Sequence, residues 1–210
     1  IAGAADRGDF DATSTTIGLS PAGLIDDLPQ GLLTHTFDKW WENFTARQEN
    51  RQAWKDYTPY ELRNVGALVR LGRRGDALRA LDFYFADMRP RAWNGWAEVV
   101  GRDEREPRFI GDMPHAWISS DYIRSTLDLL VYERDRDHAL VLAAGVPTEW
   151  LAGEGVGVTN VRTAYGPLSY NLRQTRDGYA LTLDGAVTPP GGFVIQWPAG
   201  ETPPARVRID

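Results

Sequence analysis

The chain has 210 residues, 42% hydrophobic and 25% charged, the balance of an ordinary globular protein long enough to bury a core as one large domain or two modest ones. A formal net charge of -6 argues against nucleic acid or an anionic membrane as partner, and no apolar run approaches the roughly 20 residues a membrane helix needs. The absence of cysteine excludes disulfide scaffolds, thiolate metal sites and cysteine nucleophiles.

In chain order, residues 1–31 show no clear periodicity, and their run GDFDATSTT reads as a loop or a ragged edge. The first residue is Ile1, with no methionine and no signal peptide, which predicts a start that is processed, truncated or excised from something longer. Residues 32–48 place Leu33, Phe37, Trp40, Trp41 and Phe44 at spacings of three and four, one face of a helix. A second helix is predicted over 59–71. Thr58 is its candidate N-cap, Pro59 takes the first helical position, and Glu61 stands three residues after Thr58 as in a capping box. Leu62, Val65, Leu68 and Val69 form its apolar stripe, and Gly72 is a stop suited to the left-handed conformation. A third helix over 76–88 carries Leu78, Leu81, Phe85 and Met88, and ends at Arg89–Pro90. A fourth, over 117–133, carries Ile118, Tyr122, Leu129, Leu130 and Tyr132.

Beyond the charged stretch 134–137 the pattern changes to short runs rich in β-branched and aromatic residues, separated by glycine, proline and aspartate. Strands are predicted over 139–143, 156–161, 168–174, 179–183, 193–197 and 206–209, with Asp177–Gly178 as a hairpin turn. The expected architecture is α+β by segregated domains: helical hairpins over 1–135, then an antiparallel β-sandwich over 136–210.

Between the third and fourth helices runs a long loop, and loops of that length in a compact region are usually functional or disordered. The sequence WNGWAEVVGRDEREPRFIGDMPHAWISSDYIRS, residues 93–125, is too aromatic for disorder. A short connection makes helices 59–71 and 76–88 antiparallel, so the long loop returns the chain to the starting end of helix 59–71, where helix 117–133 begins. The link 49–58, with Trp54, Asp56 and Tyr57, is expected at the same end. Two helix N-termini there favour bound oxygens. Tryptophans beside carboxylates at one rim suit a saccharide cleft. Their other reading is core packing.

The segments YTPYELRNVGALVRLGRRGDALRALDFYFADMRP, WNGWAEVV and FIGDMPHAWISSDYIRSTLDLLVYE, running into a β-rich tail, resemble the end of a six-hairpin glycosidase, a glycoside hydrolase with an (α/α)6 barrel. The join is similar to that of the α-L-rhamnosidase-like branch, and the resemblance covers about residues 28–210. It implies hydrolysis of a glycosidic bond in an oligo- or polysaccharide, and a longer parent chain supplying the rest of a twelve-helix ring.

Glycoside hydrolysis usually needs two carboxyl groups flanking the bond. The carboxylates expected at the rim are Asp56, Glu61, Glu98, Asp103, Glu104, Glu106, Asp112 and Asp121. Glu98, between Trp96 and Val99–Val100, is the first candidate, because an apolar surround raises a carboxyl pKa toward a working acid or base. Asp112 is the second, following Gly111, whose freedom permits a tight turn near a ligand. Their structural alternatives are a backbone-bonded loop carboxylate and an Asx turn. Asp121 reads first as a cap of its helix. Glu61, His115, Trp54, Tyr57, Trp93, Trp96 and Trp117 are the candidate substrate contacts, with helix capping the competing role of Glu61. No histidine or carboxylate spacing suggests a transition metal, and nothing requires an organic cofactor. Two other functions fit the same features: a non-catalytic carbohydrate-binding or scaffolding part of a larger protein, and a glycoside phosphorylase.

Overall fold

The computed structural model describes residues 1, 10–103, 113–197 and 203. They form a mixed α+β protein with five α-helices and three small sheets; no closed barrel is present among them. The chain divides into two compact units, Ile1–Leu68 with Asp76–Thr126, and Val69–Gly75 with Leu127–Asp210.

The first unit begins with α1, Ala12–Leu19, in the segment that lacks apolar periodicity. Asp11 caps it, accepting from the Ser14 backbone N–H at 2.9 Å and from the Ser14 and Thr13 hydroxyls. Its buried face is Ala12, Thr15, Thr16 and Leu19. That spacing is helical, but threonines fill the middle of the stripe. Thr15 and Thr16 donate back to the carbonyls of Asp11 and Ala12, which lets them sit inside. Thr16 also hydrogen-bonds the fully buried Asn64 at 2.8 Å.

Helix α2, Gln30–Gln48, buries Leu33, Phe37, Trp40 and Phe44 as the spacing predicts. Trp41 lies at the edge of that stripe, partly exposed. After it, β1 (Asp56–Tyr57) pairs antiparallel with β2 (Val100–Gly101), tying the interhelical link to the loop that carries Trp96 and Glu98. The predicted helix over 59–71 is a 3-10 turn, Pro59–Leu62, followed by α3, Arg63–Arg70. Leu62, Val65, Leu68 and Val69 are all fully buried. Gly72 has φ 75°, the left-handed stop expected of it.

Helix α4, Arg74–Ala86, turns a different face inward from the one its large apolar residues suggest. Ala77, Ala80, Tyr84 and Met88 are buried, while Leu78 and Leu81 are partly exposed and Phe85 is 49% exposed. The face is rotated by about one residue. The two alanines permit close packing, and the buried Tyr84 hydroxyl reaches Glu61 at 2.8 Å. Phe85 stacks instead on Tyr122, ring centroids 6.3 Å apart.

Helix α5, Ala116–Leu130, buries Ile118, Asp121 and Ser125 in this unit. Asp121 is not an N-terminal cap. It holds Arg63 through two hydrogen bonds at 3.0 and 2.7 Å, while Ser125 donates to the Leu62 carbonyl. With Tyr60 against His115 one turn earlier, these contacts set the two helix starts side by side, running parallel.

The second unit holds the last turns of α3 and α5, where Arg70 pairs with Asp128. The helix predicted to reach residue 133 ends at Leu130, and β3, Val131–Arg134, follows directly. It pairs antiparallel with β4, Ala139–Leu142; residues 135–138 are the turn between them, held by Arg134 on Asp137. The other strands are β5 (Val156–Thr163), β6 (Gly166–Thr175), β7 (Gly178–Asp184) and β8 (Phe193–Ile195). β5, β6 and β7 form an antiparallel meander, with the predicted hairpin closing Thr175 on Gly178. β8, however, joins β4 in parallel, so the antiparallel expectation does not extend to it. The strand expected at 206–209 lies outside the described residues. Leu140, Leu142, Leu168, Tyr170 and Leu172 from both three-stranded sheets share one core with Val131, Val146 and Leu151. There the Tyr170 hydroxyl donates to the Leu130 carbonyl at 2.6 Å, and burial pushes its pKa well up.

Candidate functional site

All of the described candidate residues lie in the first unit. Two features of the local sequence place them. Thr58, in extended conformation, accepts from the Tyr60 backbone N–H and donates its own hydroxyl to the Glu98 carbonyl at 2.8 Å. The His115 backbone N–H donates to the Trp96 carbonyl at 3.3 Å. The segment 96–98 is thereby pinned between the starts of the Pro59–Leu62 turn and of α5.

On this rim the Tyr60 hydroxyl and His115 Nε2 are 2.8 Å apart, and the two rings meet edge to face at 5.6 Å. Trp117 stands beside both, 6.3 Å from the Tyr60 ring and 6.2 Å from His115. It is 70% exposed, which offers a flat indole face to solvent next to a polar hydrogen-bonded pair. The Arg63 guanidinium lies 4.8 Å from the Tyr60 ring centroid. Glu98 is half-buried, and no hydrogen bond or ion pair from the described residues reaches its carboxylate. Trp93 is 56% exposed at the end of a short 3-10 turn, Arg91–Trp93.

The other candidates face inward. Trp96 is buried, packs on Tyr122 at 5.0 Å and donates its indole N–H to the Tyr84 carbonyl. Tyr57 is buried, and its hydroxyl donates to Asp87 at 2.6 Å. Burial, and then the Asp87 charge, push its pKa well above the usual tyrosine value. Trp54 is half-buried edge-on to Tyr57, and its indole N–H has no hydrogen-bond partner among the described residues.

Glu61 does not close a capping box. Its carboxylate accepts from both terminal nitrogens of Arg47 at 3.1 and 2.6 Å, from Trp40 at 3.2 Å and from Tyr84 at 2.8 Å. The ion pair is nearly buried, with side-chain exposures of 10% for Arg47 and 13% for Glu61. Burial works against the Arg47 charge, but the Glu61 charge and hydrogen bonds outweigh it and raise the guanidinium pKa. The Tyr84 pKa is pushed well up, first by burial and then by the Glu61 charge.

Asp112, Glu104 and Glu106 lie outside the described residues. Among the described residues, no group of three histidines or carboxylates is placed to hold a metal ion, and no helix is long and apolar enough to cross a membrane. Two contributors escaped the sequence reading, Tyr60 and Arg63. Their signal is an aromatic and an arginine three residues apart at a helix start, the spacing that brings side chains onto one face. Comparison with family models, with curated proteins and with solved structures found no match.

Proposed function

We propose that the chain is the saccharide-contacting C-terminal part of a glycoside hydrolase. The reading combines the sequence resemblance with one observation: an exposed indole, Trp117, beside the hydrogen-bonded Tyr60–His115 pair, on the rim that also carries Glu98, whose carboxylate has no ion pair among the described residues. A pyranose offers an apolar face to the indole and hydroxyls to the tyrosine and histidine. Glu98 acts as the acid that protonates the leaving oxygen or the base that activates water, and Asp112 is its partner carboxylate. Trp93 extends the contact surface.

In this reading α2–α5 belong to an (α/α)6 ring completed by a longer parent chain, and the two three-stranded sheets form a sandwich. Support comes from large apolar side chains left in solvent on the helices of the first unit: Leu32 at 54%, Phe85 at 49% and Ile123 at 59% exposure.

The test is hydrolysis of a panel of p-nitrophenyl glycosides, beginning with the α-L-rhamnoside, by the parent protein and its Glu98→Gln variant. Loss of a general acid or base costs about 10²–10⁴-fold in rate. Glu98→Gln should show that loss while still binding the glycoside. Unchanged turnover in the variant sinks the catalytic assignment.

A second reading, non-catalytic carbohydrate binding, is favoured by the state of the neighbouring carboxylates. Asp121 is committed to Arg63 and Arg124, and Glu61 to Arg47, leaving neither free for acid/base work. Glycoside binding without turnover, with or without inorganic phosphate, selects this reading. Turnover only with phosphate selects a phosphorylase.

A further inference from the structure

Thr58 passes the chain from a strand pair to a helix start, and its hydroxyl serves both sides of that join. Across the pair, the Arg102 N–H donates to the Lys55 carbonyl at 2.9 Å, and two residues further in Tyr57 faces Val100. Bonded pairs in an antiparallel ladder recur at every second residue. The next one would set the N–H of residue 59 on the Glu98 carbonyl, but residue 59 is proline and has no N–H to give. The backbone ladder stops there, and the Thr58 hydroxyl supplies the missing donor to the same carbonyl, at 2.8 Å. The proline also favours an extended residue before it, and Thr58 has φ -103° and ψ 124°. In that conformation its hydroxyl oxygen accepts from the Tyr60 N–H at 3.3 Å. One side chain thus ties the backbone of Glu98 to the backbone of Tyr60. Trp96, Ala97 and Val100 around Glu98 are buried, and the Trp96 carbonyl accepts from the His115 N–H. Glu61 is held by its carboxylate oxygens on Arg47, whereas Glu98 is held by its main chain.

We propose that Thr58 is a positioning residue for Glu98. Its hydroxyl replaces the ladder bond that Pro59 cannot make, and so fixes where the Glu98 carboxyl stands relative to the Tyr60–Trp117 rim. The acid/base clause rests on the function proposed above; the backbone coupling does not, and is read without a sugar.

Three substitutions in the parent protein separate this role from helix capping. Thr58→Ser keeps both the donor and the acceptor. Thr58→Asp, when ionised, keeps an acceptor for the Tyr60 N–H but has no proton for the Glu98 carbonyl. Thr58→Val keeps the shape and loses both. The first readout is hydrolysis of the glycoside that the wild type turns over fastest, each variant taken at its own pH optimum so that a moved carboxyl pKa is not misread. A misplaced reacting group costs up to about a hundredfold, so kcat should fall at least about tenfold in Thr58→Asp and Thr58→Val. KM should stay within about twofold, because the rim that binds is left in place, and Thr58→Ser should restore kcat. A capping role alone would leave Thr58→Asp at the wild-type kcat, so that result overturns the proposal, as does a Thr58→Ser variant no faster than Thr58→Val. The second readout, without glycoside, is hydrogen exchange of the His115 amide, whose acceptor is the Trp96 carbonyl on the same segment. Local opening should quicken it about tenfold in Thr58→Asp and Thr58→Val but not in Thr58→Ser. Unchanged exchange in both overturns the coupling. If the wild type hydrolyses no glycoside of the panel while exchange quickens as stated, the hydrolase reading fails and the coupling of Thr58 to the Glu98 backbone stands.

Discussion

Tyr60 and Glu61 are adjacent in one 3-10 turn, yet they serve two opposite environments. Glu61 points into a nearly closed network in which Arg47, Trp40 and Tyr84 occupy its oxygens. Tyr60 points to a rim where His115 and the exposed Trp117 gather. Both clusters mix aromatics with charge, and from composition they look alike. They differ in exposure: the Arg47–Glu61 pair is nearly buried, while Trp117 on the rim is 70% exposed. A buried hydrogen-bonded network fixes the fold, because each partner removed strands another without water. A rim with an exposed indole has a ring face to offer something else.

The largest expected effect falls on the closed side. Glu61→Ala leaves the Arg47 charge and the Tyr84 hydroxyl without their common acceptor, and breaking such a pair costs about 3–5 kcal/mol. Urea unfolding should show a loss in that range, and a change under about 1 kcal/mol would put Glu61 among exposed pairs and dissolve the contrast.

Next in size is an alkaline effect from the same network. Tyr84 and Tyr57 have folded pKa values raised well above normal, by burial first, then by the Glu61 and Asp87 charges respectively. In the unfolded chain a tyrosine ionises near pH ~10. Above that pH the unfolded state holds fewer protons than the folded one. Stability from these groups is therefore intact below about pH 10 and falls as pH rises, by up to about 1.4 kcal/mol per pH unit for each tyrosine. Tyr84→Phe should flatten that fall in urea titrations between neutral and strongly alkaline pH. An unchanged slope means that Tyr84 ionises as readily folded as unfolded.

The division between the two clusters was only partly legible in the sequence. Period and punctuation located α2, α3, the Gly72 stop and the β5–β7 meander, because those elements bury continuous apolar stripes. The α1 helix was hidden by Thr15 and Thr16, whose buried hydroxyls are satisfied by the preceding turn. The inward face of α4 was misjudged because Ala77 and Ala80 carry little hydrophobic weight, while Phe85 carries much and stays outside. The buried face of α5 was harder still, since Asp121 is interior only through its arginine partner. For the site, spacing brought Glu98, His115 and Trp117 to one rim but could not tell Glu61, Tyr57 and Trp96 from surface residues. That distinction depends on Arg47, Asp87 and the Tyr84 carbonyl, which are 14, 30 and 12 residues away along the chain. No local pattern encodes such pairings.

The smallest effect on stability should come from Trp117→Ala, and it is the sharpest test of the rim. With 70% of its surface already in water, Trp117 gains little from folding. Its ring contacts are peripheral, tilted to Tyr60 at 6.3 Å and edge-on to His115 at 6.2 Å. Substitutions at such surface positions usually stay within about 0.5 kcal/mol, so the urea midpoint should barely move. Under the proposed function, glycoside affinity should nevertheless fall at least about tenfold in the same variant. A midpoint shift approaching that of Glu61→Ala, with affinity unchanged, would place Trp117 with the closed network and leave the rim without a recognition surface.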